Sequence, residues 1–94
     1  MSRLFKKYLI EREIPGIGEA PAEQLGRAAA TSNAALAKLA PKVQWLQSFL
    51  VKDRTYCVYL AEDEAAIEEH ARISGIPATK ITEVTGMLDP SSAS

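Results

Sequence analysis

A chain of 94 residues makes one domain able to bury roughly 60–65 % of its unfolded surface. Its hydrophobic share of 47 % is ordinary, and a net charge of −1 gives no reason to expect a nucleic-acid partner. One cysteine excludes an intramolecular disulfide, and no apolar run approaches the about 20 residues of a membrane span.

The opening Met1-Ser2-Arg3-Leu4-Phe5-Lys6-Lys7 lacks the uninterrupted apolar stretch of a secretion signal, so the chain reads as soluble and cytoplasmic. Residues 3 to 12 alternate loosely, with Leu4, Phe5, Tyr8, Leu9 and Ile10 among Lys6, Lys7 and Glu11. That suits a strand near a sheet edge, where lysines blunt unwanted pairing. Pro15-Gly16-Ile17-Gly18 breaks it. Pro21 fits the first turn of a helix whose positive end carries Glu19 and Glu23. Leu25, Ala29, Ser32, Leu36 and Leu39 recur at helical spacing, and the alanine content lets this helix lie close to a sheet. Gly26 costs it about 1 kcal/mol relative to alanine. Pro41 ends it.

Residues 43 to 51 and 55 to 61 are rich in β-branched and aromatic side chains, with Lys52-Asp53-Arg54 as a short polar turn between them. Asp63 or Glu62 can cap a second helix running to about Ser74, with Ile67, Ala71 and Ser74 on its inner face. Gly75 stops it, and Ile76-Pro77 is a candidate for a cis bond. Residues 79 to 88 form the last strand, through Ile81 and Val84. The order is strand–helix–strand–strand–helix–strand, the split βαβ or ferredoxin-like βαββαβ plan. The fold class is therefore α+β: a four-stranded antiparallel sheet with two helices on one face, a single domain over 1–90 and a frayed tail at 91–94.

Side-chain alternation splits the hairpin into two faces. Trp45, Gln47, Phe49, Val51, Tyr56, Val58 and Leu60 share one; Leu46, Ser48, Leu50, Cys57, Tyr59 and Ala61 share the other. Both are substantially apolar, and two helices cover only one. An identical sheet from a second copy is the simplest cover for the other, giving a sheet-face homodimer. An exposed RNA-binding platform is the alternative, but residues 55 to 61 hold no basic residue and no glycine–phenylalanine pattern. The site is expected on the face away from the helices. There Glu83, Tyr8 and Gln47 around Trp45, with Tyr56 and Tyr59, would make a half-polar ligand pocket.

His70 is the only histidine. It falls about 60° from the centre of the second helix's inner stripe, at the edge of the buried arc. It is either a boundary residue bonded to a carbonyl or a proton carrier or metal ligand. Its possible co-ligands are carboxylates, Glu69 foremost, then Glu68, Asp63 and Glu83, a set that could hold nickel or zinc loosely. Cys57, in an apolar strand with no basic neighbour, reads as core rather than nucleophile. Gly16 and Gly18 lack the spacing and the Gly-Lys-Ser/Thr element of a phosphate loop.

The stretches Trp45…Thr55-Tyr56-Cys57-Val58-Tyr59-Leu60-Ala61, Asp63-Glu64-Ala65-Ala66-Ile67…His70-Ala71…Ser74-Gly75-Ile76-Pro77-Ala78 and Ile81-Thr82-Glu83-Val84 resemble a family of small bacterial domains. Its members are nickel-binding proteins or domains of unknown function, similar to the dimeric ferredoxin-like (α/β-barrel-type) proteins. Lys7-Tyr8-Leu9-Ile10-Glu11-Arg12-Glu13-Ile14-Pro15-Gly16 suits a subgroup of it. The resemblance implies the same fold, a homodimer and a divalent metal such as nickel as cofactor. Nickel-binding members carry a histidine in the first strand and a His-x-x-x-His pair ending the second helix. This sequence keeps the first of that pair as His70, has Ser74 at the second position, and has no histidine in strand one.

The leading expectation is a dimeric binding protein for a metal or a small organic ligand, with no nucleic-acid or membrane partner. The alternative is a small cofactor-free enzyme of isomerase, cyclase or monooxygenase type, by analogy of fold alone. In it His70 or Glu83 acts as general base, and Tyr8, Tyr56 or Tyr59 donates a hydrogen bond. The third is an interaction module without a site.

Overall fold

Alternation along Lys6–Glu13 sends Tyr8, Ile10 and Arg12 to one side of a strand and Lys7, Leu9 and Glu11 to the other. The computed structural model describes residues 5–93, so Arg3 and Leu4 of the predicted strand and Ser94 of the predicted tail lie outside it. Strand β1 (Lys6–Glu13) is followed by a 3-10 turn (Ile17–Glu19), helix α1 (Ala22–Leu39), the hairpin β2 (Val43–Val51) and β3 (Arg54–Ala61), helix α2 (Glu64–Ser74) and β4 (Lys80–Val84). The sheet is antiparallel throughout, in the order β2-β3-β1-β4. This is the α+β, ferredoxin-like arrangement expected. β1 is not near an edge: Ile10 faces Cys57 of β3 on one side and Ile81 of β4 on the other. Its lysines therefore flank an interior strand. The true edges are β2 and the short β4, which ends four residues before the predicted limit of 88.

Both helices lie on the Tyr8–Ile10–Arg12 face. Pro21 is the N-cap of α1, and Ser32 and Ala35 are its buried residues, within the stripe marked by Leu25, Ala29, Leu36 and Leu39. In α2 the Asp63 carboxylate accepts from the Ala66 N–H at 2.9 Å, and Gly75 ends the helix in the left-handed region at φ 74. The core joins Tyr8, Ile10, Val43, Cys57, Tyr59, Ala61, Ala66 and Ile67. His70 belongs with them. It is 0 % exposed, at the centre of the buried stripe of Ala66, Ile67 and His70 rather than at its edge. The cis X-Pro bond is Ala40–Pro41, not Ile76–Pro77. Where the sequence suggests a frayed end, Asp89 caps a short exposed 3-10 turn, Pro90–Ser92. No described helix is long and apolar enough to cross a membrane.

The segment after β1 is clamped to the hairpin tip. Ile14 N–H donates to the Asp53 carbonyl (2.9 Å), Gly16 N–H to the Asp53 carboxylate (2.7 Å) and Gly18 N–H to the Lys52 carbonyl (2.6 Å). A Cβ at Gly18 would stand 2.6 Å from the Lys52 backbone nitrogen. Gly18→Ala is therefore expected to destabilise by about 1–3 kcal/mol, because backbone must move to admit it. Gly26 on α1 has nothing within 4 Å of the same position. Gly26→Ala is expected to stabilise by up to about 1 kcal/mol through helix propensity. Urea midpoints of the two variants should move in opposite directions.

Candidate functional site

At the Arg12 end of the sheet, α1 stands off far enough to leave a pocket of about 260 Å³. Its floor is Thr55, Cys57 and Tyr59 of β3 with Trp45, Ser48 and Leu50 of β2. Its roof is Leu25, Ala28, Ala29 and Ser32 of α1, and Ile14, Ile17 and Ile76 close the end. The alanines make the space: larger side chains on that helix face would fill it. The Asp53 clamp holds Ile14 and Ile17 in place. Leu50, 42 % exposed on the edge strand, marks the mouth.

One polar chain runs through this apolar space. Arg12 is 3 % exposed. Its Nη1 donates to the Pro77 carbonyl (3.2 Å) and its Nη2 to the Tyr59 hydroxyl (3.3 Å), and its guanidinium carbon lies 5.7 Å from the Tyr59 ring centroid. Pro77 is brought there by two bonds from Thr79: its N–H donates to the Glu11 carbonyl (2.9 Å), and its Oγ1 accepts from the Glu13 N–H (3.0 Å). The Tyr59 ring stacks on Trp45 (6.4 Å) and tilts against His70 (5.4 Å). His70 Nε2 is 3.1 Å from Ser32 Oγ, linking α2 to α1. His70 Nδ1 is buried with no partner. Trp45 Nε1–H donates to Ser48 Oγ (2.9 Å), and Thr55 Oγ1 lies 3.5 Å from Cys57 Sγ.

Burial sets the electrostatics. It raises the Tyr59 hydroxyl pKa, with the Arg12 charge opposing. It lowers the pKa of His70, the Arg12 charge lowering it further while the bond to Ser32 opposes. His70 is therefore neutral at pH 7. Because its folded pKa lies below the unfolded value of 6.5, the unfolded chain takes the proton first as pH falls. Its contribution is complete above about pH 6.5 and is lost as pH falls below that, towards the folded pKa. The urea midpoint should drop between pH 7.5 and 5, and His70→Gln should flatten that slope.

The residues singled out from sequence separate into three groups. Trp45 and Tyr59 line the pocket, but on the helix side of the sheet, not the open side. Tyr8 and Glu83 face each other across β1 and β4, also on the helix side and outside the pocket lining. Tyr8 is buried and its hydroxyl pKa raised, chiefly by desolvation and then by Glu83, while Glu83 itself is exposed. Among the described contacts no hydrogen bond or ion pair joins Glu83 to His70, whose Nε2 lies instead against Ser32. Gln47 and Tyr56 lie on the open face with Val58 and Phe49. The residue missed from sequence is Arg12. With Tyr8 and Ile10 inward, period-2 alternation already requires Arg12 to be inward.

A ferredoxin-like α+β domain with a small apolar pocket beneath its first helix is the class this defines. A family model described as nickel responsive protein SCO4226-like matches residues 8–84, and the chain belongs to that family. Among solved structures it is similar to SCO4226 from Streptomyces coelicolor A3(2), at 18 % identity and a TM-score of 0.73, over 87 % of this chain and 99 % of that one. That likeness shows the fold. No curated protein matches.

The nickel in the family's description can be tested against the donors here. Among the described residues no three His, Cys, Asp or Glu side chains gather to hold a metal. Glu69, the expected partner of His70, accepts from Arg72 one turn along α2, and Arg72 holds its carboxyl below the usual range. His70 points into the core. His70 and Glu69 thus point to different surroundings, and the donors gathered among the described residues do not fit nickel.

Proposed function

We propose that the protein is a small binding protein whose ligand is an organic molecule held between α1 and the sheet. Of the two ligand classes that the sequence leaves open, metal and organic, the second is supported by one observation: a mostly apolar pocket into which few polar groups converge, Arg12, Tyr59, Ser32 and Thr55. Ligand sites have this character, a greasy body with a small number of placed polar groups. Its 260 Å³ lies near the lower limit of such sites, about 300 Å³, so the ligand is small.

The open sheet face supports the second half of the proposal, a homodimer. Phe49 (53 % exposed) and Val51 (50 %) stand beside the half-buried Leu9, Tyr56, Val58 and Leu60, while Glu11, Glu13 and Arg54 pair at one end. A patch of this kind, rimmed by charge, suits an isologous contact. It lies opposite the pocket, so pairing of two sheets leaves the ligand site open.

Backbone amide shifts recorded during titration with a mixed library of small apolar fragments test the site. Shifts concentrated at Arg12, Ser32, Ser48 and Thr55 are expected. Shifts confined to Phe49, Val51 and Val58 would remove the pocket as the site.

A further inference from the structure

The pocket contains one charge and nothing to balance it. Arg12 is the only charged side chain in its lining, and no described carboxylate lies within ion-pair distance of it. The carboxylates nearest in sequence, Glu11 and Glu13, point to the opposite face of the sheet and pair there with Arg54. The two described bonds of Arg12 go to neutral oxygens, the Pro77 carbonyl and the Tyr59 hydroxyl. A guanidinium has five N–H donors in a planar fork, so further donors have no described protein acceptor. Burying a cation without a counter-charge is costly, and chains rarely retain one unless something else supplies the anion.

Resting on the pocket as the ligand site, we propose that the ligand is a small organic monocarboxylate. Its carboxylate sits on the Arg12 guanidinium and its apolar body lies between Trp45, Leu25 and Leu50. The single cation matches a single negative charge. The guanidinium fork fits the two oxygens of a carboxylate in parallel hydrogen bonds. The walls beyond the head group are apolar, which disfavours a phosphate or a dicarboxylate, whose remaining charge would be left unpaired. The hydroxyls of the lining belong to Ser32, Ser48, Thr55 and Tyr59 and carry no charge.

Trp45 is the only tryptophan and lines the pocket, so its emission reports occupancy. The test is a set of matched pairs with graded apolar bodies, such as 3-phenylpropionate against 3-phenylpropanamide, titrated at fixed ionic strength. The carboxylate is expected to bind about ten- to a hundredfold more tightly than its amide, as charge-assisted hydrogen bonds do. Arg12→Met should abolish that preference while leaving amide affinity within about threefold. Arg12→Lys keeps the charge, folds if the methionine variant does not, and should reduce the preference severalfold through loss of the fork. Equal affinity for acid and amide in the natural protein would overturn the anion assignment and leave the pocket reading standing. An undiminished preference in either Arg12 variant would also overturn the assignment. No change in Trp45 emission with any pair would take the pocket reading down with it.

Discussion

Tyr59→Ala is expected to lower the unfolding free energy by about 3–5 kcal/mol. The ring is 2 % exposed and joins three parts of the structure: it stacks on Trp45, tilts against His70 and lies beneath the Arg12 guanidinium. Truncation leaves a cavity next to an existing pocket and strips a buried cation of its aromatic neighbour and one acceptor. Tyr59→Phe separates these effects. It keeps the ring and removes only the hydroxyl that accepts from Nη2, an expected cost of about 1–3 kcal/mol. Urea unfolding of both variants gives the two numbers. A loss below about 1 kcal/mol for the alanine variant would show that the ring does not organise this end of the core.

A charge on the open face should have an equally large effect on assembly. Val58→Lys, or Phe49→Glu, is expected to convert the proposed dimer to a monomer while the fold persists. Both side chains lie on the face away from the helices, so the substitution leaves the core intact. In a two-fold contact each change appears twice, and an unpaired ion taken out of water costs several kcal/mol. Light scattering coupled to gel filtration reads the mass directly. A natural chain that runs as a monomer at high concentration, or a Val58→Lys variant that remains a dimer, would sink the sheet-face contact.

The plan of the fold was legible because its signals are local and redundant. Asp63 and Gly75 bracket α2, Pro21 and Pro41 bracket α1, and the order of elements leaves one common arrangement. The position of the site was less legible, for two particular reasons. At Leu46 the register slips: Trp45 faces Tyr59, and Gln47 faces Val58, its neighbour in sequence. One extra residue in β2 puts Trp45 on the helix side, where uninterrupted alternation would send it with Gln47 and Phe49 to the open face. Nothing in Val43-Gln44-Trp45-Leu46-Gln47 announces the bulge. Arg12 is the opposite case. Its inward direction follows from Tyr8 and Ile10, but a charged side chain near a strand end is ordinarily read as solvated.

His70 shows a limit of another kind. As the only imidazole it draws a functional reading, reinforced by the family resemblance. The structure places it under Tyr59 and against Ser32, neutral and inaccessible, where it joins the two helices. A lone histidine on a helix's inner stripe is a packing residue unless other donors reach it, and among the described residues no cluster of acidic donors gathers around one.

The most direct test of the account is a crystal structure of the protein purified gently enough to retain what it carries. The account predicts electron density for a small organic acid between α1 and the sheet, its head group on Arg12 and its body against Trp45. A pocket holding only ordered water, with ligand or metal density between two facing sheets instead, would contradict it.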